Sequence, residues 1–513
     1  MKIFTSLTKA DLVDNQIKPI KSFAKIMILG ALNLFVVSSS LSSQERIGIE
    51  NRKIDELLIK YHDLNRLNGV VLVAKKGEKI LSKGYGNACL EWNIPNSPDA
   101  KYLLASVSKT FTATVIMKLI DQGKLHLDTR LTEVLLWYRK DTGRKVTIFH
   151  LLNHTSGIPN YMDLRKHSLD ELNGEFGTGI IDKTEFARKY CSSDLEFEPG
   201  TKWNYNNSGY FLLALIVEQI TGEPFDIAMK EIIFDPLQMN NSGDLQQNPD
   251  QVVDKLATGY LKAGDKFTKM HYWNLSTAFG AGSLYSTPDD LLKFDQSFYS
   301  DAFLSAKAKE AMFTPGLNGY GCGWELRKSP LGAKLELKNI QTHEGFLWAW
   351  HTRIYRIPED GIFIVIISNT GDSPLEKIFT GITDLLYGRV PEFPKPTLSL
   401  AVEKRIKTNG IDEAISYGKS QLGQKADEWE CHENDLNALG YRLMQAGLND
   451  QAAKIFLWNT ELYPKLWNVW DSYGEGLAAA GNIQAAIEAY QKSLNLNADN
   501  KAGAEILKKL QAR

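Results

Sequence analysis

The stretch LLASVSKTFTAT, residues 103–114, joins a short extended segment to an apolar helix and places Ser106 three residues before Lys109. Residues three apart lie on one face of a helix, about 5–6 Å between Cβ atoms, so the lysine is within reach of the serine hydroxyl. A serine becomes a nucleophile when a base removes its proton, and a lysine that burial has made neutral is such a base. The stretch therefore predicts a nucleophile and its base at a helix start, where backbone N–H groups also favour an oxyanion.

The Ser-x-x-Lys spacing alone is not specific, because it occurs four times in the chain. Two copies lie in or before an apolar N-terminal segment, and one lies in a C-terminal helix; only the copy at Ser106 joins an extended segment to an apolar helix. The alternative for Ser106 is an ordinary position on the first turn of a helix. The four copies are Ser6/Lys9, Ser22/Lys25, Ser106/Lys109 and Ser416/Lys419.

Two later motifs supply possible partners for this pair. PGTKWNYNNSGYF, residues 199–211, contains Tyr205 and Asn207 before an apolar helix. Asn207 is alternatively a helix cap and Tyr205 a packed aromatic ring. THEGFLWAW, residues 342–350, contains His343 and Gly345 in the one His-x-Gly of the chain. A glycine at a strand start lets a substrate approach the backbone closely, although His343 is alternatively a core histidine.

The order of these motifs resembles the serine β-lactamase and penicillin-binding-protein superfamily, and most closely class C β-lactamases with their esterase and D-aminopeptidase relatives. The resemblance covers about residues 50–390 and includes LLNHTSGIPNY, AFGAGSLYSTPDDLLKF and RIPEDGIFIVIISN. It implies that Ser106 is the acylated nucleophile, Lys109 its base and Tyr205 a proton shuttle. It also implies that Asn207 binds substrate and Lys109, and that the N–H groups of Ser106 and Phe346 form the oxyanion hole.

The third motif departs from β-lactamases, which carry Lys-Thr-Gly where this chain has His343, Glu344 and Gly345. His-x-Gly resembles the D-aminopeptidase-like branch, and losing a fixed cation weakens the binding of a substrate carboxylate. We therefore expect an exported serine hydrolase that acts through an acyl-enzyme on an ester, an amide or a D-amino-acid-containing peptide. The alternatives are a non-hydrolysing penicillin-binding-type sensor whose tail recruits a protein, and a true β-lactamase.

Strand patterns lie at both ends of the first 390 residues, with helices between them. An amphipathic helix is predicted at 45–64 and hairpins at 69–86 and 351–370. This arrangement, with the resemblance, predicts an α+β fold over residues 44–390: an antiparallel sheet flanked by helices, plus an all-α subdomain. Three prolines at 391–398 predict a linker before a C-terminal domain at 399–513.

The C-terminal domain contains an internal repeat. A shift of 34 residues superposes small residues on small residues and one aromatic on another, which resembles the tetratricopeptide repeat. A half-repeat at 410–422 and a last helix at 502–513 are expected to cap the stack, whose surface suits a protein partner. The six matches are Gly440/Gly474, Leu443/Leu477, Gly447/Gly481, Ala452/Ala486, Phe456/Tyr490 and Leu462/Leu496.

Composition and the N-terminus bound the remaining possibilities. Fifty-nine Lys and Arg balance 61 Asp and Glu, so no basic excess indicates a nucleic-acid partner. Lysines before an apolar run at 26–37 and small residues after it predict an export signal at 1–43. The protein is therefore expected to be periplasmic or secreted, and this signal is its only expected contact with a membrane. Four scattered cysteines and a His150/His154 pair without a third ligand predict no metal and no cofactor. The expected ligand is a small-molecule or peptide substrate.

Overall fold

The computed structural model describes residues 43–163, 181–245, 252–263, 266–270, 274–331, 335–371 and 373–512. The predicted export signal at 1–43 lies almost wholly outside these ranges. The chain divides into two units, Met1–Lys53 and Ile54–Arg513. Of the first unit the described residues form the start of one helix, and all other elements belong to the second. Within the described ranges every helix is too short or too polar to cross a lipid bilayer.

The six long strands group at the two ends of the residue 54–390 region, as the sequence predicts, and shorter strands lie between them. In chain order the strands are β1 (Gly69–Lys75), β2 (Glu78–Tyr85), β3 (Asn87–Cys89), β4 (Ile94–Pro95), β5 (Tyr102–Leu103), β6 (Gly243–Asp244), β7 (Tyr260–Ala263), β8 (Lys266–Lys269), β9 (Leu284–Ser286), β10 (Glu325–Leu331), β11 (Glu336–Leu347), β12 (Trp350–Ile357) and β13 (Ile362–Ser368).

Helices fill the middle of that region and the whole C-terminal tail. They are α1 (Ser43–Asp63), α2 (Ser108–Asp121), α3 (Leu131–Val134), α4 (Lys140–Gly143), α5 (Ile148–Leu152), α6 (Lys183–Tyr190), α7 (Asn207–Thr221), α8 (Phe225–Met229), α9 (Pro288–Gln296), α10 (Ala306–Phe313), α11 (Leu375–Leu386), α12 (Leu398–Asn409), α13 (Ile411–Lys425), α14 (Glu433–Gln445), α15 (Asn449–Leu462), α16 (Trp467–Ala479), α17 (Ile483–Leu496) and α18 (Lys501–Gln511).

The main sheet joins the two ends of the region. Its six antiparallel strands run in the order β10-β11-β12-β13-β1-β2, and β1 pairs along its whole length with β13, placing Val70 opposite Ile367. Both predicted hairpins are present, and Gly361 closes the second with a φ of 64°. The expected antiparallel sheet flanked by helices is therefore confirmed, with its centre assembled from opposite ends of the sequence.

The apolar run of β1 is explained by burial on both faces of the sheet. Val70 and Leu72 belong to a core shared with α2 and α7. Val71 and Val73 point the other way, into a second core with α1 and α11. Alternate residues of a strand face opposite sides, so a strand covered on both sides is continuously hydrophobic.

Short strands in the middle region escape prediction because each spans two to four residues. Among them, β5 pairs with β9, which also pairs with β6. The Leu104 N–H donates to the Leu284 carbonyl at 2.8 Å just beyond that pairing. This small sheet holds the segment before Ser106 against the loop that precedes β9.

The tail packs its helices through the small and aromatic residues that the repeat predicts. A Cβ placed on Gly440 would lie 2.3 Å from Phe456, and one on Gly474 would lie 2.8 Å from Tyr490. These two pairs are equivalent under the 34-residue shift, so each glycine admits the aromatic ring of the next helix. The predicted half-repeat at 410–422 is wrong in extent, because α12 precedes α13 and the tail thus begins with two helices.

The segment predicted as a linker is fixed to the tail. The Leu398 N–H donates to the Glu430 carbonyl at 2.8 Å, and the Glu430 N–H donates to the Pro396 carbonyl at 3.0 Å. The Glu430 side chain forms ion pairs with Arg66, at 2.7 Å, and with Lys377, at 3.2 Å. Arg66 and Lys377 belong to the sheet-containing region, so Glu430 ties that region to the helical tail.

A chain ending at Pro394 should keep its ester turnover within about threefold but melt a few degrees lower. None of the predicted catalytic residues lies in the tail, whereas Arg66 loses a largely buried carboxylate partner. Thermal melting and small-ester kinetics on both chains test this, with Glu430→Gln in the full chain isolating the ion pairs. Loss of turnover in a truncated chain that remains folded would contradict the separation of the two regions.

Candidate active site

The site begins at the turn that carries Ser106. Ala105–Val107 form a single 3₁₀ turn that continues directly into α2. Ala105 has a φ of 48°, a left-handed conformation that costs a residue with a Cβ about 1–2 kcal/mol. The strained residue immediately precedes the predicted nucleophile, and strain of this kind persists where the surrounding structure fixes it.

Lys109 lies fully buried beneath Ser106 and contacts three oxygens. Its Nζ is 3.1 Å from Ser106 Oγ, and it donates to Asn207 Oδ1 at 2.8 Å and to the Ala281 carbonyl at 2.7 Å. Burial holds the pKa of Lys109 well below its usual 10.5, since the charged form is poorly solvated. The described contacts include no carboxylate that would restore the charge.

The geometry of these contacts assigns the orientation of a neutral Lys109. The Ala281 carbonyl and Asn207 Oδ1 only accept, so each takes one of the two N–H bonds that a neutral amine has. The lone pair is then left for the third direction, toward Ser106 Oγ. A lone pair facing the hydroxyl is what a general base requires.

The sequence left two roles open for Asn207, a helix cap and a contact to Lys109, and two neighbouring asparagines share them. Asn206 caps α7, because its side chain accepts from the Gly209 N–H at 2.7 Å. Asn207 is the first residue of α7 and directs its side-chain oxygen to Lys109 instead. The cap alternative for Asn207 is therefore wrong, and the capping residue is its neighbour.

Tyr205 covers the lysine from the side opposite α2. Lys109 Nζ lies 4.9 Å from the centre of the Tyr205 ring, and Tyr205 and Ser106 line the same pocket. Burial raises the pKa of Tyr205 above its usual 10, so the free enzyme carries a protonated phenol. Of the two groups beside Ser106, Lys109 is thus the one available as a base, and Tyr205 is available as a proton donor.

His343 is buried, and both of its ring nitrogens are engaged. Nδ1 donates to the Glu344 carbonyl at 2.7 Å, so Nε2 is the acceptor and takes the Tyr320 O–H at 2.9 Å. Burial is the main cause that lowers the pKa of His343 to about 3. The residue that replaces the β-lactamase lysine is consequently neutral, and it borders the pocket as an oriented ring.

Gly345 and Phe346 lie beside the nucleophile turn. A Cβ on Gly345 would lie 2.2 Å from the Leu104 carbonyl oxygen and 3.1 Å from the Ser106 nitrogen. Gly345 is therefore required because the turn that carries Ser106 packs against its backbone. The sequence analysis instead reserved this space for substrate. The pairing between β10 and β11 stops at Glu325 and Thr342. From residue 343 onward, the edge of β11 that faces β10 is therefore not paired with that strand. The predicted oxyanion donor Phe346 lies on this part of β11.

These residues surround a pocket of about 350 Å³ that contains Ser106, Tyr205, Asn207, His343 and Phe346. The FGAGS turn, residues 279–283, also borders the pocket, because Ala281 and Gly282 line it. The sequence analysis did not assign to the site Met162 and Glu325, which also line the pocket, or Tyr320 and His154, which contact His343 and Tyr205. Only His154 had a signal, since it lies in the LLNHTSGIPNY stretch; its ring centre is 4.5 Å from that of Tyr205.

The histidine pair that the sequence set aside as a metal site has other contacts. His150 Nδ1 accepts from the Thr147 N–H at the start of α5, whereas His154 Nδ1 accepts from the Asn206 N–H. Among the described residues no three His, Cys, Asp or Glu side chains lie together as metal ligands.

Comparisons with known proteins agree with this geometry. The family described as Beta-lactamase matches residues 53–386. Penicillin-binding protein 4* of Bacillus subtilis (strain 168) is 31% identical over 366 residues, covering 67% of this chain and 78% of that protein. Teichoic acid D-alanine hydrolase of Staphylococcus aureus is 28% identical over 243 residues, 47% of this chain and 56% of its own length.

Among solved structures, the penicillin binding protein from Bacillus halodurans superposes with a TM-score of 0.55 at 25% identity. The match covers 64% of this chain and 99% of that one. The part of this chain that matches the family is the sheet-containing region with the pocket, and the helical tail lies outside the match. On the family match, the sheet topology and the relatives together, the chain belongs to the beta-lactamase family of serine hydrolases.

Proposed function

We propose that the chain hydrolyses small esters or amides, including D-amino-acid-containing ones, through an acyl-enzyme on Ser106. The observation that carries this proposal is the contact geometry of buried Lys109: its Nζ lies 3.1 Å from Ser106 Oγ, while Asn207 Oδ1 and the Ala281 carbonyl accept its N–H bonds. A relative named teichoic acid D-alanine hydrolase supports a D-amino-acid-containing substrate.

The proposed reaction has two balanced halves. In acylation, Ser106 Oγ bonds to the acyl carbon while its proton moves to Lys109 Nζ, and the leaving alcohol or amine takes a proton through Tyr205. The N–H groups of Ser106 and Phe346 are the proposed donors to the oxyanion. In deacylation, water adds to the acyl carbon and gives up its proton by the same route, which restores Ser106 and releases the acid.

We also propose that this reaction takes place outside the cytoplasm and that the tail serves recruitment. The first proposal rests on the sequence pattern at 1–43, and the second on tetratricopeptide-like packing in a tail that holds none of the proposed catalytic residues. A secreted reporter fused to residues 1–45 tests the first. Pull-down with the full chain, compared with the chain ending at Pro394, tests the second.

Small esters should be better substrates than β-lactams for the natural chain. His343 is neutral where β-lactamases carry lysine, so no fixed cation at that position attracts the β-lactam carboxylate. We expect p-nitrophenyl butyrate turnover to exceed nitrocefin turnover, and nitrocefin kcat/KM to stay well below ~10⁶ M⁻¹s⁻¹. His343→Lys should shift the ratio toward nitrocefin. Efficient nitrocefin hydrolysis by the natural chain would instead make it a true β-lactamase.

A further inference from the structure

One wall of the pocket is acidic. Glu325, at the start of β10, and Glu344, on β11, both line the pocket that contains Ser106. They come together because the adjacent strands β10 and β11 carry them: Glu325 lies opposite Thr342, two residues before Glu344. Glu344 in turn lies directly opposite Arg353 of β12. The side chains remain 38% and 41% exposed, so each carboxylate keeps a face toward the pocket.

The basic groups behind this wall are shared among several carboxylates. Arg353 is shared among Glu325 at 3.1 Å, Glu344 at 3.5 Å and Glu376 at 3.4 Å, and Arg327 pairs with Glu376. Two guanidiniums and the His351 ring thus serve three carboxylates. His351 Nε2 lies 2.6 Å from the other oxygen of Glu344 and orients that side chain.

On the described pocket surface, no charged basic side chain accompanies the carboxylates of Glu325 and Glu344. The described lining residues include no lysine or arginine, and the one histidine among them, His343, is neutral. Lys109 lies below the surface with its three contacts already described. The rest of the lining is largely apolar, including Met162, Leu347 and the ring of Phe346, which is 56% exposed.

We infer that the substrate carries a free, positively charged amino group, which Glu344 and Glu325 bind while Ser106 attacks the acyl carbon. This inference rests on the proposed function, because it is Ser106 that makes the pocket a substrate site. An ammonium has three N–H donors and no acceptor, so two carboxylates on adjacent strands complement it, and an apolar substituent fits the Phe346 side. The class is aminoacyl esters or amides with an unblocked amine, and the same wall repels substrates with a free carboxylate.

The test compares one ester with and without its charge. Alanine methyl ester, in both enantiomers, is measured against its N-acetyl derivative, with p-nitrophenyl butyrate as a neutral reference. For the better enantiomer, kcat/KM of the free amine should exceed that of the N-acetyl ester by at least about tenfold at low salt. Because the attraction is electrostatic, the ratio should fall as ionic strength rises.

Substitutions of Glu344 and Glu325 test whether these two carboxylates cause the preference for the free amine. Glu344→Gln and, independently, Glu325→Gln should each lower the selectivity ratio at least about threefold, whereas Glu310→Gln, an exposed glutamate on α10, should leave it unchanged. A folded, active natural chain whose ratio is near one, or insensitive to salt, overturns the inference and leaves the proposed function intact. Absence of ester turnover and of fluorophosphonate labelling overturns the proposed function itself.

Discussion

Ser106→Ala is expected to abolish labelling by a fluorophosphonate and to lower ester turnover by at least about 10⁴-fold. Ser106 Oγ lies 3.1 Å from Lys109 Nζ, and Ser106 lines the same pocket as Tyr205. The fold should survive, because Lys109 keeps its contacts with Asn207 and Ala281. Peptide mass mapping of the adduct and a thermal melt of the variant measure the two halves of this expectation.

Ser108→Ala is the matched control on the same helix. Ser108 is buried and its hydroxyl accepts from the Leu284 N–H at 3.1 Å, so its loss costs about 1 kcal/mol of stability. It makes no contact with Lys109 Nζ, and the variant should still be labelled at Ser106. An adduct on a different serine, or full turnover by Ser106→Ala, would remove Ser106 from the proposed role.

Lys109→Met is expected to lower kcat/KM by at least about 10²-fold, the usual scale for losing a positioned general base. Methionine keeps much of the buried volume but has no lone pair for the proton of Ser106. It also leaves Asn207 Oδ1 and the Ala281 carbonyl without their donor, so some destabilisation is expected. Lys118→Met, at the other end of α2, is the control, since Lys118 contacts only the distant Phe303 segment there.

The pH profile separates a base from a merely structural lysine. Lys109 acts when neutral, so kcat/KM should rise with pH through the Lys109 pKa and then level off. Burial lowers that pKa, so the plateau should be reached well below pH 10.5. His343 adds no limb near neutral pH because its pKa is about 3. In Lys109→Met the limb should disappear; an unchanged profile would exclude Lys109 as the base.

The sequence predicted those parts of the site that lie on one element or next to a helix start. Ser106 and Lys109 are adjacent because helical spacing makes them so, and Asn207 was located by the helix that it begins. The two hairpins of the main sheet were predictable because β1 and β13 are long and apolar.

Other features depend on tertiary contacts that no local pattern encodes. The Ala281 carbonyl completes the lysine environment from a loop that β5 and β9 hold in place, and any residue type has a carbonyl. Tyr320 orients His343 across a buried contact, and Glu325 reaches Glu344 through strand register. The sequence placed Gly345 beside the nucleophile correctly but gave substrate approach as the reason. The group that approaches it closely is the backbone of Leu104.

The pairing of β1 with β13 has a consequence for biosynthesis. During translation, the Ser106 helix leaves the ribosome long before β13 does, so β1 waits with one unpaired edge of seven residues, GVVLVAK. An unpaired apolar edge is a template for aggregation. That edge of β1 therefore stays unpaired until residue 368 emerges and β13 can cover it. Premature termination before residue 362 yields a chain with an intact nucleophile segment and no sheet on which to seat it.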